Sequence, residues 1–162
     1  MEQAVEFVCA QLGYPTLKDR QRQVIVNILS SRDVFATLPT GYGKSLCYGC
    51  LPGVYDQIRQ SKGSIVIVVS PLLALMKNQV DSFAKKGVLA AYVSSEQEKE
   101  RVQMREDVIL GKYQLVYISP EQLIGNPRYR TMCRSEIYIE KLVALVIDEA
   151  HCVKKMVSTC SI

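Results

Sequence analysis

Val34-Phe35-Ala36-Thr37-Leu38-Pro39-Thr40-Gly41-Tyr42-Gly43-Lys44-Ser45-Leu46-Cys47-Tyr48 passes from an apolar, partly β-branched run through a glycine-bearing loop into a segment with helical periodicity. That order predicts a strand over 34–38, a loop, and a helix beginning near Lys44. A loop that cradles phosphates needs glycine because its N–H groups must turn inward through left-handed dihedrals, and Gly41 and Gly43 supply that freedom. Lys44 would set a point charge on the β and γ phosphates, Ser45 would give Mg2+ a hydroxyl, and the following helix would aim its positive end at the same anion. The strict phosphate-loop pattern has glycine where this chain has Leu38. Thr40 and Tyr42 complete the loop; Tyr42 is bulky for its place and would either crowd the phosphates or turn to solvent.

A second run, Leu142-Val143-Ala144-Leu145-Val146-Ile147, delivers Asp148-Glu149-Ala150-His151. Asp148 at a strand end is placed to bind Mg2+ through water, and Glu149 to orient or deprotonate the attacking water. Loop and tetrad together describe one site that binds and hydrolyses a nucleoside triphosphate.

Between them, alternating apolar runs set the architecture. Val5, Val8, Cys9 and Leu12 mark a helix ended by Gly13-Tyr14-Pro15, and Lys18 to Ser30 a second helix with Val24, Ile25, Ile28 and Leu29 inward. Pro52-Gly53 interrupts the helix that starts near Lys44. Strands are expected over 64–69, 88–93, 115–118 and 142–147, with helices from Pro71 to about Lys86 and from Glu96 to Leu110. Five strands alternating with helices predict an α/β sandwich with a mostly parallel sheet and ligands at the carboxyl ends of the strands. The segments divide as 1–33, N-terminal helices; 34–153, the nucleotide-binding part; and 154–162, a divergent tail.

The 162 residues carry 48% apolar and 22% charged side chains, ordinary proportions for a folded domain and unlike a disordered tail. A net charge of +4 permits a polyanionic partner without requiring one. Six cysteines scattered through apolar segments read as reduced thiols of an intracellular protein, and Cys47-x-x-Cys50 as packing residues on a helix. No secretory signal and no membrane-length apolar run is visible, which predicts a nuclear or cytosolic location.

With both motifs in hand, the chain resembles the first of the two RecA-like motor domains of a superfamily 2 helicase, specifically of the RecQ family of DNA helicases, over about Leu12 to Val153. Gly13-Tyr14-Pro15-Thr16-Leu17-Lys18-Asp19-Arg20-Gln21 is similar to that family's adenine-reading segment. The resemblance implies that Tyr14 stacks on the base and Gln21 reads its edge, with Lys18 where arginine is usual. Ser70-Pro71-Leu72-Leu73-Ala74-Leu75-Met76-Lys77-Asn78-Gln79 and Tyr117-Ile118-Ser119-Pro120-Glu121-Gln122-Leu123 resemble the segments that grip phosphates of single-stranded DNA. Ser70, Pro71, Lys77, Gln79, Ser119 and Pro120 are the DNA-contact residues so implied, and His151 the residue coupling nucleotide to DNA. It further implies ATP and Mg2+ as cofactors, single-stranded DNA or DNA junctions as partners, 3′ to 5′ translocation, and roles in repair and recombination in the nucleus.

The similarity is expected to stop near Lys155, where the family continues with an aromatic loop, and the second motor domain and its arginine are expected to be missing. Weak Mg·ATP binding without unwinding follows as the expectation for the isolated chain. Two other readings stay open: a superfamily 2 RNA helicase, and a noncatalytic nucleotide-binding or decoy product.

Overall fold

The computed structural model describes residues 1–95 and 102–149. At its centre is a four-stranded parallel sheet of β1 (Ile65–Val69), β2 (Ala90–Val93), β3 (Leu115–Ile118) and β4 (Leu142–Ile147), in the order β2-β3-β1-β4. β1 and β3 are buried along their whole length, as expected for β-branched runs covered on both faces.

Helices cover the two faces. On one lie α1 (Glu2–Gln11), α2 (Asp19–Leu29), α3 (Lys44–Gly49), α4 (Leu51–Arg59) and α5 (Leu73–Ala84), whose Val5, Ile25, Leu51, Val54 and Met76 pack with Val66, Val68, Leu115 and Tyr117. On the other lie α6 (Val102–Ile109), α7 (Pro120–Gly125), α8 (Pro127–Cys133) and α9 (Glu136–Lys141); Val108, Tyr129, Met132 and Tyr138 pack there on Ile65, Ile67, Val116 and Ile118. The alternation along β1 thus feeds two separate cores.

Local chemistry fixes the ends of these elements. The Lys18 N–H donates to Gln21 Oε1 at 3.0 Å, which starts α2. The helix begun at Lys44 breaks at Cys50, and Pro52 stands in the first turn of α4, where its missing N–H costs nothing. Asp56 on α4 accepts from the Gly63 and Ser64 N–H groups at 3.2 and 2.9 Å and so steers the chain into β1. Gly49 has no side chain because Phe83 of α5 fills that space; a Cβ there would lie 2.1 Å from Phe83 Cζ.

One element departs from expectation. Residues 34–38 form no strand: Phe35 is 86% exposed, and only Leu38 of the run is buried. A strand is defined by its ladder of hydrogen bonds, and an apolar β-branched run specifies burial without naming a neighbour. β4 accordingly pairs with β1 alone among the described strands, and Leu145 and Ile147 on it are 58% and 46% exposed. The helix expected over 96–110 is observed from Val102 to Ile109; residues 96–101 lie outside the described residues.

Cys9, Cys47 and Cys50 are buried together behind α3, as packing residues. Burial pushes the Cys47 thiol up to about 11 from its ordinary 9.0. Folding therefore favours the protonated thiol, and the stability it supports is complete below pH 9 and lost as pH rises from 9 towards 11, by about 2–3 kcal/mol at most. Urea unfolding at pH 8 and pH 10.5 is expected to show a larger loss for the wild-type chain than for Cys47→Ala. Equal losses would remove Cys47 as the cause.

Candidate active site

Register brings the carboxyl ends of the strands level. Val69 pairs with Ile118 and with Ile147, and Val93 with Ile118. The ladder continues one step further: Ser119 N–H donates to Val93 O, Ser70 N–H to Ile118 O, and Asp148 N–H to Val69 O, at 3.1, 3.1 and 2.9 Å. Ser94, Ser119, Ser70 and Asp148 consequently stand side by side along one rim of the sheet.

The glycine loop is held at this rim from below by α2. Tyr42 N–H donates to Pro39 O at 3.1 Å, closing a turn. Gly41 and Gly43 adopt φ of 76° and 88°, the left-handed region where a side chain is strained. Gln21, buried on α2, donates from Nε2 to the Tyr42 and Gly43 carbonyls at 3.0 and 3.2 Å. Its amide hydrogens are thereby committed to the loop, so in this conformation Gln21 acts as the loop's brace. Tyr42 settles neither of its sequence readings. Its ring packs on the main core and lies under Lys18 Nζ at 4.4 Å, turned back to α2, while Lys18 Nζ also reaches the Tyr42 carbonyl at 3.4 Å. Tyr14 is partly exposed beyond α1, with Lys86 Nζ 3.8 Å over its ring.

Lys44 lies within electrostatic range of Asp148. Burial, with Glu149 alongside, raises the Asp148 carboxyl above its ordinary range, while the Glu149 N–H at 3.1 Å and the Lys44 ammonium act in the opposite sense. Glu149 holds φ of 56°, uncommon for a non-glycine residue and typical of strained functional positions. Two residues that sequence reading passed over line the same corner. Tyr48, one turn after Lys44, meets Tyr117 of β3 edge to face at 6.3 Å. Burial raises both phenols, and the Asp148 charge adds to it, so they stay neutral beside the carboxylate. The spacing of Tyr48 from Lys44 was the available signal, since four residues put both on one helical face.

The remaining expected residues distribute unevenly. Thr40 is exposed and Ser45 half-buried at the loop. Ser119 caps α7, accepting from Gln122 N–H at 3.4 Å, with Pro120 in the first helical turn; Ser70 is buried and Pro71 follows it. Lys77 and Gln79 of α5 are two residues apart and do not share a helical face; Lys77 is exposed and Gln79 half-buried. Ala150, His151 and the 154–162 tail lie outside the described residues. A cavity of about 590 Å³ lies at the opposite end of the sheet, among Lys62, Gly63, Gly87 and Gly111, away from these groups.

The donor set suits a magnesium nucleotide. Among the described residues no group of three His, Cys, Asp or Glu side chains could cage a metal. Mg2+ is ordinarily held by one or two protein oxygens, phosphates and water. Asp148, whose charge is disfavoured by burial, gains from such a cation, and Ser45 can add its hydroxyl.

Fold and site together define a P-loop NTPase domain of the RecA-like type. The sequence model of the DEAD/DEAH box helicases matches residues 18–161, and the chain belongs to that family. It is similar to the ATP-dependent DNA helicase RecQ of Haemophilus influenzae, with 32% identity over 94% of this chain and 23% of the relative. RecQ of Bacillus subtilis is 33% identical over 96% of this chain and 24% of its own length. The ATP-dependent DNA helicase hus2/rqh1 of Schizosaccharomyces pombe is 39% identical over 84% and 10%. The chain thus spans a quarter or less of these relatives. Its fold resembles that in a crystal structure of the DUF1998 helicase MrfA bound to DNA and AMPPNP, with a TM-score of 0.65, 20% identity, and coverage of 92% of this chain and 21% of the other.

Proposed function

We propose that the chain supplies the ATP-binding face of the first motor domain of a RecQ-type DNA helicase. The observation that carries this reading is a glycine loop with left-handed Gly41 and Gly43 whose Lys44 lies within electrostatic range of Asp148 at the carboxyl end of β4, in a chain whose relatives are named as DNA helicases. Lys44 and the loop N–H groups hold the β and γ phosphates, and Ser45 and Asp148 hold Mg2+. When bound by Ser45 and Asp148, Mg2+ would supply positive charge to offset that developing on the γ phosphate. Glu149 takes the proton of the attacking water. Ser70, Ser119 and the backbone around them seat phosphates of a single strand, which positions the strand without reading its sequence.

Such motors work by closing a second RecA-like domain over the nucleotide, and the arginine it contributes is worth about 10³ to 10⁵ in rate in related phosphoryl transfers. The isolated chain is therefore expected to bind Mg·ATP while turning it over slowly and separating no strands. DNA is favoured over RNA because the relatives are named for DNA. ATP hydrolysis by the chain mixed with a separately supplied second motor domain is expected to rise with single-stranded DNA and to respond less to RNA of the same length. The reverse preference would assign the chain to RNA remodelling, and unwinding by the chain alone would contradict the two-domain scheme.

A further inference from the structure

The cavity at the amino ends of the strands has no part in the nucleotide reading. Gly63, Gly87 and Gly111 stand shortly before β1, β2 and β3 with φ of 98°, 79° and 66°, and without side chains they leave the entrances to the strands recessed. The recess measures about 590 Å³, within the roughly 300–1,000 Å³ usual for a binding pocket. Val8, Leu12, Pro52, Val88 and Leu89 give it an apolar floor. Leu89 is 58% exposed there, an aliphatic side chain left in water.

Positive charge borders this floor. Lys62, Lys86 and Lys112 line the cavity, and Lys141 Nζ stands beside Gly63, 3.4 Å from where a Cβ would sit. Lys86 lies over the Tyr14 ring and Lys112 pairs with Asp107, while Lys62 and Lys141 have no ion pair among the described residues. The one carboxylate that lines the cavity, Asp56, already accepts from the Gly63 and Ser64 N–H groups at 3.2 and 2.9 Å. The acidic stretch 96–101, outside the described residues, joins α6 at Val102, about 12 Å along that helix from the end that leads to Gly111.

An apolar floor with a cationic border is complementary to an acidic segment that carries an aliphatic side chain. A nucleic-acid backbone has the anions but no aliphatic group to fill the recess. Gln11 and Gln57, also at the cavity, bring amides that both donate and accept, as a peptide backbone requires. We propose that this cavity docks an acidic peptide segment of a partner protein, its aliphatic side chain in the recess and its carboxylates on Lys62 and Lys141. The site lies at the other end of the sheet from the glycine loop, so it stands independently of the nucleotide reading.

The test is fluorescence anisotropy of a fluorescein-labelled glutamate peptide with one central leucine, titrated with the full chain at low salt. Saturable binding is expected. A peptide with serine in place of the leucine is expected to bind about tenfold more weakly or worse, as loss of one buried aliphatic side chain does, and this comparison needs no variant protein. Lys62 is exposed, so Lys62→Glu leaves the fold intact and is expected to raise Kd about tenfold by setting like charges together. Arg130→Glu, the same charge reversal at an exposed position of α8 on the opposite face, is expected to leave Kd unchanged. No saturable binding, equal binding of the serine peptide, or equal losses for the two reversals would overturn the docking site. Displacement of the bound peptide by oligo(dT) would overturn it as well and assign the cavity to nucleic acid.

Discussion

Lys44→Ala is expected to remove Mg·ATP binding from a chain that stays folded. Lys44 is half-buried and makes no salt bridge among the described residues, so its loss leaves no partner stranded in the free protein. In the proposed complex the same ammonium would face phosphates in a partly dry corner within electrostatic range of Asp148. Removing one partner of such a pair costs about 2–5 kcal/mol, a weakening of roughly 1.5 to 3.5 orders of magnitude. Calorimetric titration of both proteins with Mg·ATP measures it directly. Equal affinities would mean a vestigial loop and return the chain to the noncatalytic reading.

Gly43→Ala is expected to be the most damaging change in the loop, for two separable reasons. A side chain at φ of 88° costs about 1–2 kcal/mol. The added Cβ would also lie 2.6 Å from Gln21 Nε2, forcing that amide off the two carbonyls it braces and leaving buried polar groups unsatisfied at about 1–3 kcal/mol. Gly41→Ala isolates the first reason, because nothing lies within 4 Å of a Cβ there and its φ is 76°. Thermal melts are expected to fall by about 5–15 °C for Gly43→Ala and by less for Gly41→Ala. Equal falls would show that backbone strain alone matters and that Gln21 is no brace.

The contrast between these glycines marks what the sequence could disclose. That Gly41 and Gly43 would take left-handed dihedrals was legible, since few other residues tolerate them. That Gln21 would spend its amide on the loop was not, because it depends on how α2 docks, a fact of three dimensions. The same holds for the sheet. Ile65–Val69 and Leu115–Ile118 announced buried parallel strands through unbroken β-branched or apolar runs. Val34–Leu38 carried a similar pattern and forms no strand, because pairing depends on where a segment docks as well as on composition. Arg105 escaped attention altogether: on a helix of mostly polar residues nothing in its spacing reveals that it points inward.

The central claim is that a loop near the start of the chain and an acidic pair near its end serve one metal nucleotide. Replacing Mg2+ with paramagnetic Mn2+ in the ATP complex and recording amide resonances tests it most directly, since broadening falls steeply with distance from the ion. The account expects Gly43, Lys44, Ser45, Asp148 and Glu149 to broaden together while Gly63 and Gly87, at the far end of the sheet, stay sharp. Broadening at the loop with Asp148 and Glu149 untouched would contradict it.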